Sequence, residues 1–328
     1  MDFFLPFHLP TLSFRISYND KILLVGSCFS EEIGNRMNDL KFNVLQNPNG
    51  ILYDPLSIVN ALSTYIENKP YKTKNLFELN GLWHSWQHHS IFSGLNQNEV
   101  LEKINSSQSE AHHFLKEANY LIITLGTAFK YQLKNTGEGV ANCHKAPAAN
   151  FEKTLLSTEH IISSSLSLLT DLEKFNPALK IIFTISPAKH VKDGVVENNR
   201  SKARLIEAVH AIAEQKQSAF YFPSYELVTD VLRDYRFYKT DLVHPNDAAV
   251  NFVFEKFCDN LLDDSAKNIM EEINKILDAA NHKPFAKESA AHQKFIATQI
   301  KNIQKIENDY PFINLSREKE YFLKSSLG

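Results

Sequence analysis

The sequence predicts an α/β protein built on a parallel sheet, with a helical extension at its C-terminal end. From about residue 20 to residue 258, short apolar runs alternate with longer amphipathic ones, and that rhythm calls for helical crossovers between parallel strands. Beyond Cys258 the short runs stop. Ile269, Ile273, Ile276 and Leu277 then recur at helical spacing, as do Phe295, Ile296, Ile300, Ile303 and Ile306.

Taken in order, the strands are expected at 22–25, 42–45, 120–125, 180–185 and 219–222, with helical segments between them. The first ends in Gly26-Ser27-Cys28 and runs into a helix near Glu31. The third ends in Gly126-Thr127-Ala128 and the fourth in Ser186-Pro187, while Asp241-Leu242-Val243-His244 follows the fifth. In parallel sheets the ligand crevice lies at the carboxyl ends of the strands. Asn198 to Lys202 reads as a solvated helix start, Pro245-Asn246-Asp247 as another, and 281–284 as a helix break before Pro284. This divides the chain into an α/β domain over 1–262 and a helical extension over 263–328. The apolar stripes of the extension are expected to pack within the chain, with a homodimer through these helices as the other use of such faces.

Composition excludes several function classes. A net charge of -3 offers no basic surface for nucleic acid or anionic membranes. The N-terminal residues lack a basic stretch followed by an apolar core, and no window is apolar long enough to cross a bilayer. A soluble, cytoplasmic protein is therefore expected. Cys28, Cys143 and Cys258 are odd in number and lack CxxC spacing, so neither a disulfide framework nor a zinc ribbon is indicated. Phosphate-cradling glycine motifs are absent as well, and no cofactor is expected.

The residue types that remain suit nucleophilic catalysis. A strand turning sharply into a helix aims a small side chain at the helix's positive end, and both Ser27 and Cys28 sit in that turn. His244 is the natural base, and Asp241 three residues earlier can hold its far ring nitrogen. A thiol at a helix N-terminus beside an imidazole is expected to have a lowered pKa. Backbone N–H groups around Cys28 and at Gly50 would face a developing oxyanion. His88, His89 and His144 read as hydrogen-bonded pocket or surface residues. Arg233 and Arg236 read as partners of Asp234 and Glu226, with carboxylate binding as their competing role.

Gly26-Ser27-Cys28-Phe29-Ser30 resembles the signature of the GSCFA family. So do the ordered blocks Trp83-His84-Ser85, His88-His89-Ser90, Gly126-Thr127-Ala128-Phe129, Asn142-Cys143-His144-Lys145, Ser186-Pro187 and Asp241-Leu242-Val243-His244-Pro245. That family is similar to the SGNH or GDSL hydrolases. The resemblance implies a three-layer, flavodoxin-like sheet of five parallel strands, acting on small-molecule or glycan acyl esters as an esterase or acyltransferase. It lays Cys28 over the nucleophilic serine and Ser27 over the preceding aspartate, and matches Asp241 and His244 to the family's last block. The block carrying the oxyanion asparagine is matched only at Gly126, because Ala128 stands at the asparagine. Thr127, Asn142 or His89 would then have to compensate, with His144 nearby in the same block set. Two other readings are a metal-dependent phosphoesterase drawing on 83–89, 142–144 and His190, and a non-catalytic binding module that keeps the fold.

Overall fold

The computed structural model describes residues 5–10, 12–281 and 289–326. The chain divides into two compact units: Met1–Pro10 with Lys21–Gly34 and Val44–Phe257, and Thr11–Asp20 with Asn35–Asn43 and Cys258–Gly328. From residue 21 the chain order is β1 (Lys21–Gly26), α1 (Cys28–Asp39), β2 (Asn43–Gln46), α2 (Pro55–Glu67), β3 (Phe77–Leu79), β4 (Leu82–His84), α3 (Gln97–Glu117) and β5 (Tyr120–Leu125). It continues with β6 (Phe129–Leu133), β7 (Gly139–Val140), β8 (Phe151–Leu155), α4 (Thr158–Phe175), β9 (Lys180–Ile185), α5 (Val195–Gln215), β10 (Ala219–Phe222), the helical turn α6 (Ser224–Glu226) and α7 (Asp247–Leu261).

The main sheet has the order β10-β9-β5-β1-β2. Counting only its own strands, this is 2-1-3-4-5, the flavodoxin-like arrangement whose switch point lies between the first and third strands. β1, β5 and β9 run parallel in matched register, with Leu24 opposite Ile122 and Ile122 opposite Ile182. Their near-continuous apolar runs are what a sheet buried on both faces demands. One face sends Leu23, Val25, Leu121, Ile123, Ile181 and Phe183 into a core shared with residues of α2 to α5, such as Ile58, Leu115, Leu169 and Leu205. On the other face Leu24, Ile122 and Ile182 meet Phe29, Ile33, Val253 and Phe257 of α1 and α7. These are the three layers that the resemblance implies.

Two parts of the first unit depart from the expected alternation. The 77–84 segment is an antiparallel hairpin, and β6 pairs with both β7 and β8 to form a three-stranded antiparallel sheet between β5 and α4. Their strands are short and mostly half-buried, so they carry no clean apolar period.

The second unit pairs Ile16 with Leu262, its amide donating to the Leu261 carbonyl at 2.7 Å. The expected stripes lie on α8 (Asp264–Asn281) and α9 (Ala290–Asp309), where Ile269, Ile273, Ile276, Ile296, Ile303 and Ile306 are buried. A further helix, α10 (Ser316–Ser326), buries Phe322 and supplies Glu318 to an ion pair with Lys41 at 2.7 Å. α8 ends at Asn281, and the rest of the anticipated break, 282–284, lies outside the described residues. Among the described residues no helix is long and apolar enough to cross a membrane.

Candidate active site

The turn between β1 and α1 is set by backbone geometry. Gly26 has φ +146° and its amide donates to Asn47 Oδ1 at 2.8 Å. A Cβ there would stand 2.2 Å from the Thr124 carbonyl oxygen of the adjoining strand, so only glycine allows β1 to press this closely on β5. Cys28 then opens α1, and its side chain borders a cleft of about 440 Å³. His244, His190, Tyr53, Thr127 and Asn142 border the same cleft. Ser27 does not. It is fully buried, and its hydroxyl has no hydrogen-bond partner among the described residues.

His244 reaches the cleft from the loop that follows β10. Its Nδ1–H donates to Asp241 Oδ2 at 2.7 Å, while Asp241 Oδ1 accepts the amides of Val243 and His244 at 2.9 and 3.0 Å. The His244 amide and ring, followed by the Val243 amide, hold the Asp241 carboxyl well below its ordinary range. The bond to Nδ1 leaves Nε2 as the exchangeable nitrogen. The loop is anchored from the neighbouring strand end, where the Lys189 amide donates to the Val243 carbonyl at 3.1 Å.

The thiol's environment corrects the expected electrostatics. Burial raises the Cys28 pKa, with the Glu31 and Glu32 carboxylates adding to the rise; Lys202 and the Phe29 amide oppose it. Lys202 itself corrects the reading of residues 198–202 as a solvated helix start: α5 begins at Val195, and Asn198, Ser201 and Lys202 are buried while Asn199 and Arg200 are exposed. Its Nζ donates to the carbonyls of Gly126 and Ser186 at 2.6 Å each, tying together the ends of β5 and β9. Burial pulls the Lys202 ammonium down to about 7, against the pull of Cys28. Burial likewise raises the neighbouring Tyr53 hydroxyl to about 12, with Cys28 as the second cause.

The GSCFA family model matches residues 21–257, and the model of the GSCFA domain protein C-terminal domain matches residues 273–325. The chain belongs to the GSCFA family. Comparison with curated proteins finds no match. Among solved structures the chain is similar to an acetyl xylan esterase from the rumen bacterium Butyrivibrio proteoclasticus, at 11% identity and TM-score 0.37, covering 74% of this chain and 63% of that one. It is also similar to a carbohydrate esterase family 3 protein from Talaromyces cellulolyticus, at 10% identity and TM-score 0.35, covering 78% of this chain and 99% of that one.

The GSCFA blocks converge only in part. The Gly50 amide donates to Asn47 O at 2.6 Å, and the amides of Gly126 and Thr127 both donate to Tyr53 O at 2.8 and 3.0 Å. None of the three is therefore free to meet an oxyanion. His89 packs against Gly50 and caps the short helix that starts at Ser90, outside the Cys28 cleft. His144 is buried, with Nε2–H donating to the Ser85 carbonyl at 2.8 Å and Nδ1 sharing a hydrogen bond with Ser90 at 3.2 Å. Its amide donates to Asn142 Oδ1 at 2.9 Å, so it orients the Asn142 carboxamide from behind. The Thr127 hydroxyl is engaged by Ser201 at 3.0 Å and by the Phe129 amide at 3.2 Å. Asn142 alone of these candidates reaches the Cys28 cleft with its Nδ2 donors unengaged by any described residue.

The arginine pairing also differs from expectation. Arg236 pairs with Asp234 at 3.1 Å, but Glu226 accepts from the Tyr221 hydroxyl and Arg233 pairs with neither acid. Among the described residues no group of three or more His, Cys, Asp or Glu side chains is placed to hold a metal ion.

Proposed function

We propose that this GSCFA protein is a thiol-dependent ester hydrolase or acyltransferase. The observation that carries the reading is that Cys28, the Asp241-oriented His244 and the free amide of Asn142 border one cleft. As the Cys28 sulfur bonds to the ester carbonyl carbon, its proton passes to Nε2 of His244. Asp241 holds the opposite N–H and offsets the imidazolium charge. The carbonyl oxygen, now an oxyanion, takes donors from Asn142 Nδ2 and from the Cys28 main-chain amide, the task the family's missing asparagine leaves open. Collapse of the intermediate breaks the ester C–O bond, and His244 returns the proton to the departing alkoxide. Water or an acceptor hydroxyl then attacks the thioester and gives its proton to His244; the C–S bond breaks, the acid or the transferred ester leaves, and His244 returns the proton to the Cys28 sulfur.

A half-buried thiol with a raised pKa is poorly ionised near neutrality, and this one observation favours the non-catalytic binding module as a second reading. Intact-mass analysis after incubation with short acyl esters separates the two. The catalytic reading expects an acyl adduct on the parent protein, lost in Cys28→Ala, retained in Ser27→Ala, and slow to form in His244→Ala. An adduct lost only in Ser27→Ala would move the nucleophile back one residue. No adduct on any of the four would leave the binding module.

A further inference from the structure

The Asp241–His244 pair stands on a rim between two chambers. His244 borders the Cys28 cleft, whereas Asp241 borders a second cavity of about 480 Å³, and Lys189 borders both. Four charged side chains line this second chamber: Lys189, Arg233, Asp234 and Asp241. Both acids are engaged, Asp234 by Arg236 at 3.1 Å and Asp241 by His244 at 2.7 Å. Asp230, next to the lining Thr229, accepts that residue's hydroxyl. Among the described residues neither cation has a carboxylate partner. The Lys189 ammonium lies over the rings of Tyr235 and Tyr238, 4.2 and 4.3 Å from their centroids. Those rings stabilise its charge without accepting its N–H groups as an oxygen would. Arg233, at φ +53°, ends the π-helical segment Leu227–Leu232 with its main-chain amide on the Val228 carbonyl at 3.0 Å.

A chamber whose acids are engaged and whose cations are not is complementary to an anion. We propose that it holds a carboxylate on the alcohol portion of the substrate, which makes the substrate class acyl esters of hydroxy acids. The guanidinium fork of Arg233 matches a carboxylate in two-point geometry and Lys189 adds a second charge. The side of the substrate follows from the catalytic roles of Cys28 and His244, on which the proposal rests. His244 hands its proton to the departing oxygen, so the chamber beyond it receives the leaving alcohol.

Direct binding tests this without turnover. Using ligand-observed NMR, 4-hydroxybenzoate and its neutral counterpart 4-methoxyphenol would be titrated into the parent protein, Cys28→Ala, Lys189→Met and Arg233→Met. The expected result is that the carboxylate binds the parent and Cys28→Ala alike, weakens about tenfold or more in each cation variant, and weakens with added salt. Equal binding of acid and neutral probes would overturn the proposal. So would unchanged carboxylate affinity in Arg233→Met, whose exposed side chain leaves folding intact, as circular dichroism would check. Inorganic phosphate displacing 4-hydroxybenzoate at lower concentration than acetate does would overturn the carboxylate assignment in favour of phosphate. Because Cys28→Ala is expected to bind, loss of the acyl adduct and loss of the anion site are read separately.

Discussion

Lys202 shows how a single side chain can matter to the site without lining its cleft. Its ammonium is buried under the ends of β5 and β9 and is the charge that opposes the burial of the Cys28 thiol. Replacing it with Met is expected to raise the thiol pKa further while Lys202 carries its charge, below its own pKa of about 7, slowing alkylation of Cys28 at about pH 6.5 about tenfold for every pH unit by which the thiol's titration moves upward. The measurement is the pH dependence of iodoacetamide modification, mapped by peptide mass because Cys143 borders the same cleft. An unchanged profile in a folded Lys202→Met protein would remove Lys202 from the site's electrostatics. The contact of Asp241 with His244 and the place of Cys28 in the turn after β1 are legible in the sequence, because both follow from local spacing. Lys202 is not, since a lysine amid Asn, Arg and Ser gives no sign of the helix face it occupies. The raised thiol does have a warning in the sequence: Glu31 and Glu32 stand in the first turns of α1, where acids suit the helix dipole but disfavour a thiolate.

Among the elements, the strands of the main sheet are readable because burial on both faces makes the central ones compact apolar runs. The bounds of β5, β9 and β10 match the expected 120–125, 180–185 and 219–222. The β3–β4 hairpin and the β6–β7–β8 sheet are not readable, since half-buried strands of two to five residues leave too little pattern. Yet β7 and the loop after it deliver Val140 to Cys143 to the cleft, so the least legible elements shape its wall. Among the glycines, the closest approach of backbone to backbone is that of β1 to β5 at Gly26. Gly26→Ala is expected to cost about 3 kcal/mol or more, since the new methyl meets backbone that cannot yield. Gly137→Ala, at φ +71° with nothing within 4 Å of its Cβ, is expected to cost only about 1 kcal/mol. Urea unfolding midpoints of the two variants provide the comparison, and equal losses would mean that β1 can retreat from β5.

At the scale of the whole molecule, buried histidines set the response to acid. Burial holds His88 at about 3, and His144 and His190 each at about 4, all below the ordinary 6.5. Between pH 6.5 and 4 the unfolded chain takes up protons at these positions that the folded chain refuses. Stability is therefore fully present above about pH 6.5 and is lost as the pH falls toward 4. Urea midpoints measured from pH 7.5 down to 4.5 are expected to decline, with a shallower decline in His88→Gln; a flat profile would mean these rings are solvated. The composition of the second unit has a consequence for synthesis. Ser17 bonds to Asp263, 246 residues further along. At roughly 5–20 residues per second a ribosome needs about 10 to 50 s to deliver that partner. For that interval Ile16, whose bridge partner is Leu262, waits without the strand it pairs with in the folded chain.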